Sequence, residues 1–411
     1  MNWSRREFLK AALMLPAGIY LERFQALAAP HAQQVKITAL KTLALDNVND
    51  GCLLRIETDA GLVGYGEAGV TAAMARARIE AIQKVLLGQD PLEIALHFHM
   101  MTDQQHPFMG NIATISGIDI ALWDLAGKIL DEPIYRLLGG PLRPAASIYS
   151  HGGPRNILDV GECRAWAQKI REAPEGFTAF KFNISTADGV GGGWPFAETL
   201  DGPDFRKLAT GFQNLRTAMG DDLDIAMHCH GQLDTRSAIG ACKAVEPIDP
   251  LWVEDPLSVP YSEGWLELRR ATRAPLLTGE KLEMVRGFKP FLDNGAVDIV
   301  HPDVAYSGGI TGCMKIADYA ALTRTPVALH NGPGSLIRFY ASVHLSAAIQ
   351  NFFKMENVLG KPGGYKEKMD AHQEPVVRKS VMAYPEGPGL GLEINEDWLR
   401  QHLARGESWW G

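Results

Sequence analysis

Residues able to do acid–base or metal chemistry recur at the ends of short apolar runs. Residues 223–231 read Leu-Asp-Ile-Ala-Met-His-Cys-His-Gly, a buried strand ending in His228 and His230. On a strand, that i, i+2 interval puts both rings on one face and Cys229 on the other. Leu251-Trp-Val-Glu254 and Pro275-Leu-Leu-Thr-Gly-Glu280 end in carboxylates, and Val327-Ala-Leu-His330 ends in another imidazole. The steps from 228 to 254 and from 254 to 280 are both 26 residues, and the step from 280 to 330 is 50. Equal steps are what a strand–helix–strand repeat produces when successive strand ends serve one site.

A lone glutamate at a strand end is usually a salt-bridge partner. Two on successive strands, with a histidine one strand earlier, make His228, Glu254 and Glu280 a candidate divalent-metal cluster. A cation there would neutralise a substrate carboxylate and stabilise the enediolate left when an α-proton departs. His330 has an orienting partner in Asp303, at the end of Asp298-Ile-Val-His-Pro-Asp303. A carboxylate on one ring nitrogen fixes the tautomer and leaves the other nitrogen free as a general base. His230 sits across from it as a candidate acid. Lys181 and Asn183 share a face at the end of another run, and Lys181 is placed to hold an anionic oxygen. The bland alternative for it is a surface lysine at a strand terminus. His301 and His151 also lie near strand ends, but nothing pairs them, so they read as structural.

The elements that must carry these groups are eight short apolar runs, near 146–150, 177–183, 223–230, 251–254, 275–280, 296–300, 326–330 and 352–356. Amphipathic helical stretches fill most of the gaps, as at 205–219, 236–245 and 312–322. This alternation predicts an α/β fold, a (β/α)8-type barrel with its chemistry at the C-terminal strand ends. A doubly wound sheet is the runner-up, but it would not draw ligands from so many consecutive strands. Upstream, residues 34–44 and 52–58 alternate apolar and polar, Asp59-Ala-Gly61 reads as a hairpin turn, and helical periodicity follows at 72–87 and 112–130. The expected domains are a targeting segment at 1–28, an α+β domain at 29–145, the barrel at 146–370 and a C-terminal segment at 371–411. The last, polar and ending in Trp409-Trp410, is expected to pack back on the N-terminal domain. Residues 185–204, with Gly189-Val-Gly-Gly-Gly193 and Trp194, read either as a solvated insertion or as a lid over the barrel mouth.

The chain has 411 residues and a formal net charge of −8. An acidic balance without a basic run argues against nucleic acid and against an anionic membrane surface as partners. An anionic substrate must then be held by local positive charge, from a metal or a placed lysine. Ser4-Arg5-Arg6-Glu7-Phe8-Leu9-Lys10, a mild apolar run and Ala26-Leu27-Ala28 stand in the order of a twin-arginine-type signal with its cleavage site. The run is too short and broken to span a bilayer, so an exported or periplasmic protein without a membrane anchor is expected. Five widely spaced cysteines form neither a disulfide framework nor a zinc-ribbon spacing.

Taken together, these motifs resemble the enolase superfamily, mandelate racemase subgroup, over about residues 35–385. Ser116-Gly-Ile-Asp-Ile-Ala-Leu-Trp-Asp-Leu-Ala-Gly-Lys128 with Leu137-Leu-Gly-Gly140 resembles its capping-domain signature. Trp252-Val-Glu-Asp-Pro256, Gly279-Glu280, and Pro302-Asp303 through Gly308-Gly-Ile310 resemble its barrel motifs. The resemblance implies a capping domain built from both termini, Mg²⁺ as cofactor, and a homo-oligomer. Racemases of the family carry a second lysine where Asn183 stands, and Asn183 cannot take a proton. The Lys-x-Asn pattern, His230 and the Asp303–His330 pair resemble the sugar-acid dehydratases, of galactonate type. That implies a small acid-sugar substrate, with His330 taking the α-proton and His230 protonating the departing 3-hydroxyl. Asn183 and Glu356 would contact the substrate, with Glu356 on its oxygens, and the product would be a 2-keto-3-deoxy acid.

The family has an aspartate where this chain has His228. Imidazole is a poorer partner for a hard ion and removes one negative charge. Mn²⁺, Fe²⁺ or Zn²⁺ therefore become alternatives to Mg²⁺, as does weak metal binding. Two other functions stay open: an epimerase or cycloisomerase using His230 and His330 as opposed bases, and a metal-poor sugar-acid binding protein. Substrate specificity is expected in residues 46–50 and 104–111.

Overall fold

The structure, a computed structural model, describes residues 27–32, 34–46, 51–103, 112–191, 198–332, 334–357 and 371–410. The twin-arginine motif, Trp194 and most of the two expected specificity segments lie outside these residues.

An antiparallel sheet opens the fold: β1 (Ile37–Leu43), β2 (Cys52–Thr58) and β3 (Val63–Ala68), in the order β1-β2-β3. The turn between β2 and β3 is closed by Gly61 N–H donating to Thr58 O, with Gly61 at φ 75°. Helices α1 (Ala72–Ile82), α2 (Ile94–Asp103), α3 (Ile112–Leu130) and α4 (Ile134–Leu137) follow. Most of α3 is buried, because it is apolar nearly all round. Its close approach to β3 needs glycine: a Cβ on Gly66 would sit 1.9 Å from Gly117 O.

The barrel then alternates strand and helix: β4 (Ala146–His151), α5 (Val160–Glu172), β5 (Ala179–Asn183), α6 (Gly202–Met219), β6 (Asp224–His228), α7 (Thr235–Val245), β7 (Val253–Glu254), α8 (Glu263–Ala271), β8 (Leu276–Thr278), α9 (Met284–Asp293), β9 (Ile299–Val300), α10 (Gly309–Leu322), β10 (Val327–Leu329), α11 (Leu336–Ala348) and β11 (Phe352–Glu356). Neighbouring strands are parallel, and β11 pairs with β4 to close the ring. Local chemistry starts these helices. Asp201 and Asp204 form a reciprocal capping box on α6, Asp159 accepts the Gly161 and Glu162 amides at α5, and Asp234 accepts Ser237 N–H at α7.

The barrel interior has a period of two. Tyr149, Ala179, Ala226, Trp252, Leu277, Ile299 and Ala328 form one buried cluster inside the ring. Two residues further on stand His151, Lys181, His228, Glu254, Gly279, His301 and His330. The alternation that fills the core therefore also delivers one rim residue per strand.

Two short strands, β12 (Val377–Arg378) and β13 (Val381–Met382), extend the sheet beyond β4, and α12 (Glu396–Gln401) is the last helix among the described residues. The C-terminal segment packs on the N-terminal sheet: Leu403 bridges Leu45, and the Trp410 ring lies 5.9 Å from Tyr65. The capping domain is thus built from both ends of the sequence. All five cysteines are buried and unpaired. Among the described residues no helix is long and apolar enough to cross a membrane.

Candidate active site

Strand register brings the rim residues side by side. His151 lies opposite Lys181, Asn183 opposite His228, and His228 opposite Glu254. Glu280 falls one residue past the in-phase position. Gly279 makes that possible, because at φ 147° it turns the chain where a Cβ would meet Phe288 at 2.6 Å and His301 N at 2.8 Å. Strand β6 ends at His228, and His230 has left-handed backbone at φ 60°. The strand rule therefore does not place His230; the turn does, and its Nδ1 still comes within 3.0 Å of His228 Nε2.

His330 and Asp303 form a β-bridge just beyond the strand ends. His330 Nδ1 donates to Asp303 Oδ2 at 2.5 Å, which leaves Nε2 as the ring nitrogen that faces the other rim residues. Nε2 lies 3.0 Å from Glu280 Oε2 and 3.6 Å from Glu356 Oε2. Burial would lower the pKa of His330, but Glu280 and the Asp303 hydrogen bond outweigh it and raise it to about 10. Near neutral pH the ring is therefore protonated and Nε2–H faces Glu280; a cation neutralising Glu280 would remove the larger of these raising effects. Burial acts against the Asp303 charge too, yet Arg338 and His330 hold its pKa down at about 2.

Lys181 is buried between two carboxylates, donating to Glu254 Oε1 at 2.7 Å and lying 2.8 Å from Glu356 Oε1. Glu254 Oε2 accepts from Trp252 Nε1 at 3.1 Å. Despite burial, Lys181 first and then His228 hold the Glu254 pKa well below the carboxylate range. Glu356 Oε2 is buried with no hydrogen-bond donor among the described residues. Lys181, His228, His230, Glu280, His330 and Glu356 all face one cavity of about 510 Å³, and Asn183 borders the adjoining one.

The comparisons with known proteins follow this architecture. Residues 32–139 match the mandelate racemase / muconate lactonizing enzyme N-terminal domain, and residues 162–398 match the enolase C-terminal domain-like family. This chain belongs to the enolase superfamily. It is 31% identical to a D-xylonate dehydratase of Haloferax volcanii over 92% of this chain and 91% of that one. It is also 31% identical to a D-galactonate dehydratase of Pectobacterium atrosepticum, over 91% and 96%. The crystal structure of a mandelate racemase/muconate lactonizing enzyme-like protein from Rubrobacter xylanophilus superposes with a TM-score of 0.82 at 29% identity, covering 92% of this chain and 99% of that one.

Enolase-superfamily members use a divalent metal, usually Mg²⁺, and the donor set here fits a divalent cation. Asn183 Oδ1 can only accept, so at 3.0 Å it accepts a hydrogen bond from His228 Nδ1–H and leaves Nε2 with the lone pair. Burial, outweighing Glu254, keeps that ring neutral by pushing its pKa well below the imidazole range. His228 Nε2 is 3.6 Å from Glu254 Oε1, and His228, His230 and Glu280 each offer a ligand atom within 4.8 Å of the others. These three donor atoms are not the predicted set, for His230 stands in the place of Glu254, whose oxygens meet Lys181 and Trp252. In either set the His228 imidazole makes the site softer than the oxygen cage a hard ion prefers.

Sequence reasoning left His301 and His151 as structural, yet both have partners at the site. His301 Nε2 lies 3.7 Å from Glu254 and 3.9 Å from Glu356, with Nδ1 donating to Ala328 O at 2.8 Å. His151 reaches Glu356 at 3.6 Å and Asn183 at 3.3 Å. The signal that finds them is phase: each stands two residues after a barrel-filling side chain, as His228 does. Lys281, which bonds Asp255 and Glu280 at 2.8 Å each, gave no comparable signal.

Proposed function

We propose that this chain is a hydro-lyase that dehydrates a sugar acid to a 2-keto-3-deoxy acid. The observation that carries this reading is the Asp303–His330 pair, with Nε2 turned into a cavity lined by carboxylates, imidazoles and a buried lysine. The relatives that bear the names D-xylonate and D-galactonate dehydratase support the substrate class.

In this reading, His330 Nε2 takes the proton α to the carboxylate, and Asp303 stabilises the resulting imidazolium. Lys181 holds an anionic substrate oxygen. His230 delivers a proton as the C3–O bond breaks, the hydroxyl leaves as water, and the enol tautomerises to the ketone. Glu356 Oε2, buried without a donor among the described residues, accepts a hydrogen bond from a substrate hydroxyl. Asn183 contributes at the rim. His228, Glu254 and Glu280 would hold the divalent cation, which when bound supplies positive charge against the developing enediolate. With His228 in the set, Mn²⁺, Fe²⁺ or Zn²⁺ compete with Mg²⁺ for it. Export along the twin-arginine route and assembly with further copies of the chain belong to the same proposal, supported by the N-terminal motif and by the family resemblance.

The test is a screen of acid sugars for keto-acid formation, run with each of several divalent metals. At least one sugar acid giving a 2-keto-3-deoxy product supports the reading. Solvent deuterium appearing at C2 without keto acid would replace it with an epimerase or cycloisomerase. Stoichiometric binding without turnover under every metal would replace it with a binding protein.

A further inference from the structure

Behind the base lies a residue that the proposed steps do not use and the cavity does not touch. Arg338, on α11, is 1% exposed and is not among the residues lining the cavity. Its Nη2 donates to Asp303 Oδ2, the same oxygen that accepts from His330 Nδ1. Its Nη1 faces Glu67 Oε1 at 3.8 Å, and the guanidinium lies over the Tyr306 ring, 4.9 Å from its centroid. Glu67 belongs to β3 of the capping sheet. Its other oxygen accepts Ser335 N–H at 2.6 Å and also the Ser335 hydroxyl, at the start of α11.

The surroundings leave this arrangement little slack. A Cβ on Gly334 would lie 2.6 Å from Glu67 Oε1 and 2.9 Å from Arg338 Cδ, and one on Gly332 would lie 3.3 Å from both Arg338 Nη2 and His330 Cε1. From the other side, α3 of the capping domain grips the segment that follows Asp303. Ser116 Oγ accepts Gly308 N–H at 3.0 Å, and Asp119 Oδ2 accepts Thr311 N–H at 2.9 Å.

We propose that Arg338 is a positioning residue that ties Asp303 to Glu67, so that docking of the capping sheet sets the orientation of the His330 base. Without Arg338, Asp303 Oδ2 would be held by His330 alone, with the Ala305 amide on the other oxygen at 2.7 Å. A planar guanidinium that donates to Oδ2 and is drawn at its far edge toward a second buried carboxylate, at ion-pair distance, adds a third constraint on the plane of the Asp303 carboxylate. His330 then keeps Nδ1 as the proton-bearing nitrogen and Nε2 as the base. The inference rests on His330 being the base, and the tests separate the two.

The first test needs no substrate. In protein labelled with ¹⁵N-histidine, the His330 Nδ1–H signal is identified by its loss in His330→Asn. We expect Arg338→Met and Glu67→Gln to shift or broaden it, and Arg338→Lys to keep it near its wild-type position. An unchanged signal in folded Arg338→Met, or in Glu67→Gln if that variant alone folds, would overturn the proposal. The second test uses whichever sugar acid the enzyme turns over. Arg338→Met should lower kcat about 10- to 100-fold with KM within about threefold, and Arg338→Lys should recover most of the loss. Combined with Asp303→Asn, Arg338→Met should add nothing, because both act through one carboxylate. Additive losses, or a change confined to KM, would overturn it. If no sugar acid is turned over, the dehydratase reading fails, while the nitrogen signal still decides the role of Arg338.

Discussion

Asp119 should make the docking of the capping domain sensitive to pH. It stands on α3 with no exposure to solvent. One oxygen accepts from Thr311 N–H, and the other has no hydrogen-bond partner among the described residues. Burial pushes its pKa up from 3.8 to about 7, against the pull of Thr311 and Lys315. A carboxyl whose folded pKa lies above its unfolded value stabilises the fold while protonated, and that contribution is lost as pH rises through the folded pKa. A shift of about three units corresponds to about 4 kcal/mol at 1.36 kcal/mol per unit, of which about 3 falls between roughly pH 5 and pH 8. Asp119→Asn keeps an acceptor for the Thr311 amide and cannot ionise. In urea unfolding across that range, the stability of Asp119→Asn relative to wild type should therefore rise by about 3 kcal/mol. Two parallel stability curves would refute the reasoning.

Two further substitutions probe the rim. His228→Asp restores an all-oxygen donor set, so calorimetric titration should show Mg²⁺ binding at least about tenfold tighter and Zn²⁺ binding weaker; an unchanged order of metals would contradict the ligand role of His228. Gly279→Ala places a Cβ against Phe288 and the His301 amide at a backbone φ of 147°. It should cost about 2–4 kcal/mol in urea unfolding and weaken metal binding by displacing Glu280. A variant of wild-type stability would show that the turn tolerates a side chain.

What the sequence made legible was periodic. The eight runs correspond to strands β4 to β11, and the 26-residue step from 228 to 254 reflects parallel register, in which His228 pairs directly with Glu254. The equal step to 280 does not, since Glu254 pairs with Leu277 and Glu280 reaches the rim through the turn at Gly279. The α3 helix spans Ile112–Leu130, the span its apolar spacing marks. What stayed hidden was not periodic. The turn that swings His230 into reach has left-handed backbone at a histidine, which no pattern announces. Strands β12 and β13, two residues each, are too short to show alternation. Arg338 reads in sequence as the arginine of a largely apolar helix; only folding sets it between Asp303, 35 positions away, and Glu67 of another domain. Lys181 is likewise understood only through Glu254 and Glu356, which strand order rather than sequence proximity brings to it.

The most direct test of the central claim is the fate of the α-proton in His330→Asn. With the sugar acid that gives keto acid in the screen, the wild type should exchange or eliminate at C2. His330→Asn should lose that activity by about 10²- to 10⁴-fold while still binding the sugar acid. Undiminished keto-acid formation by His330→Asn would contradict the account.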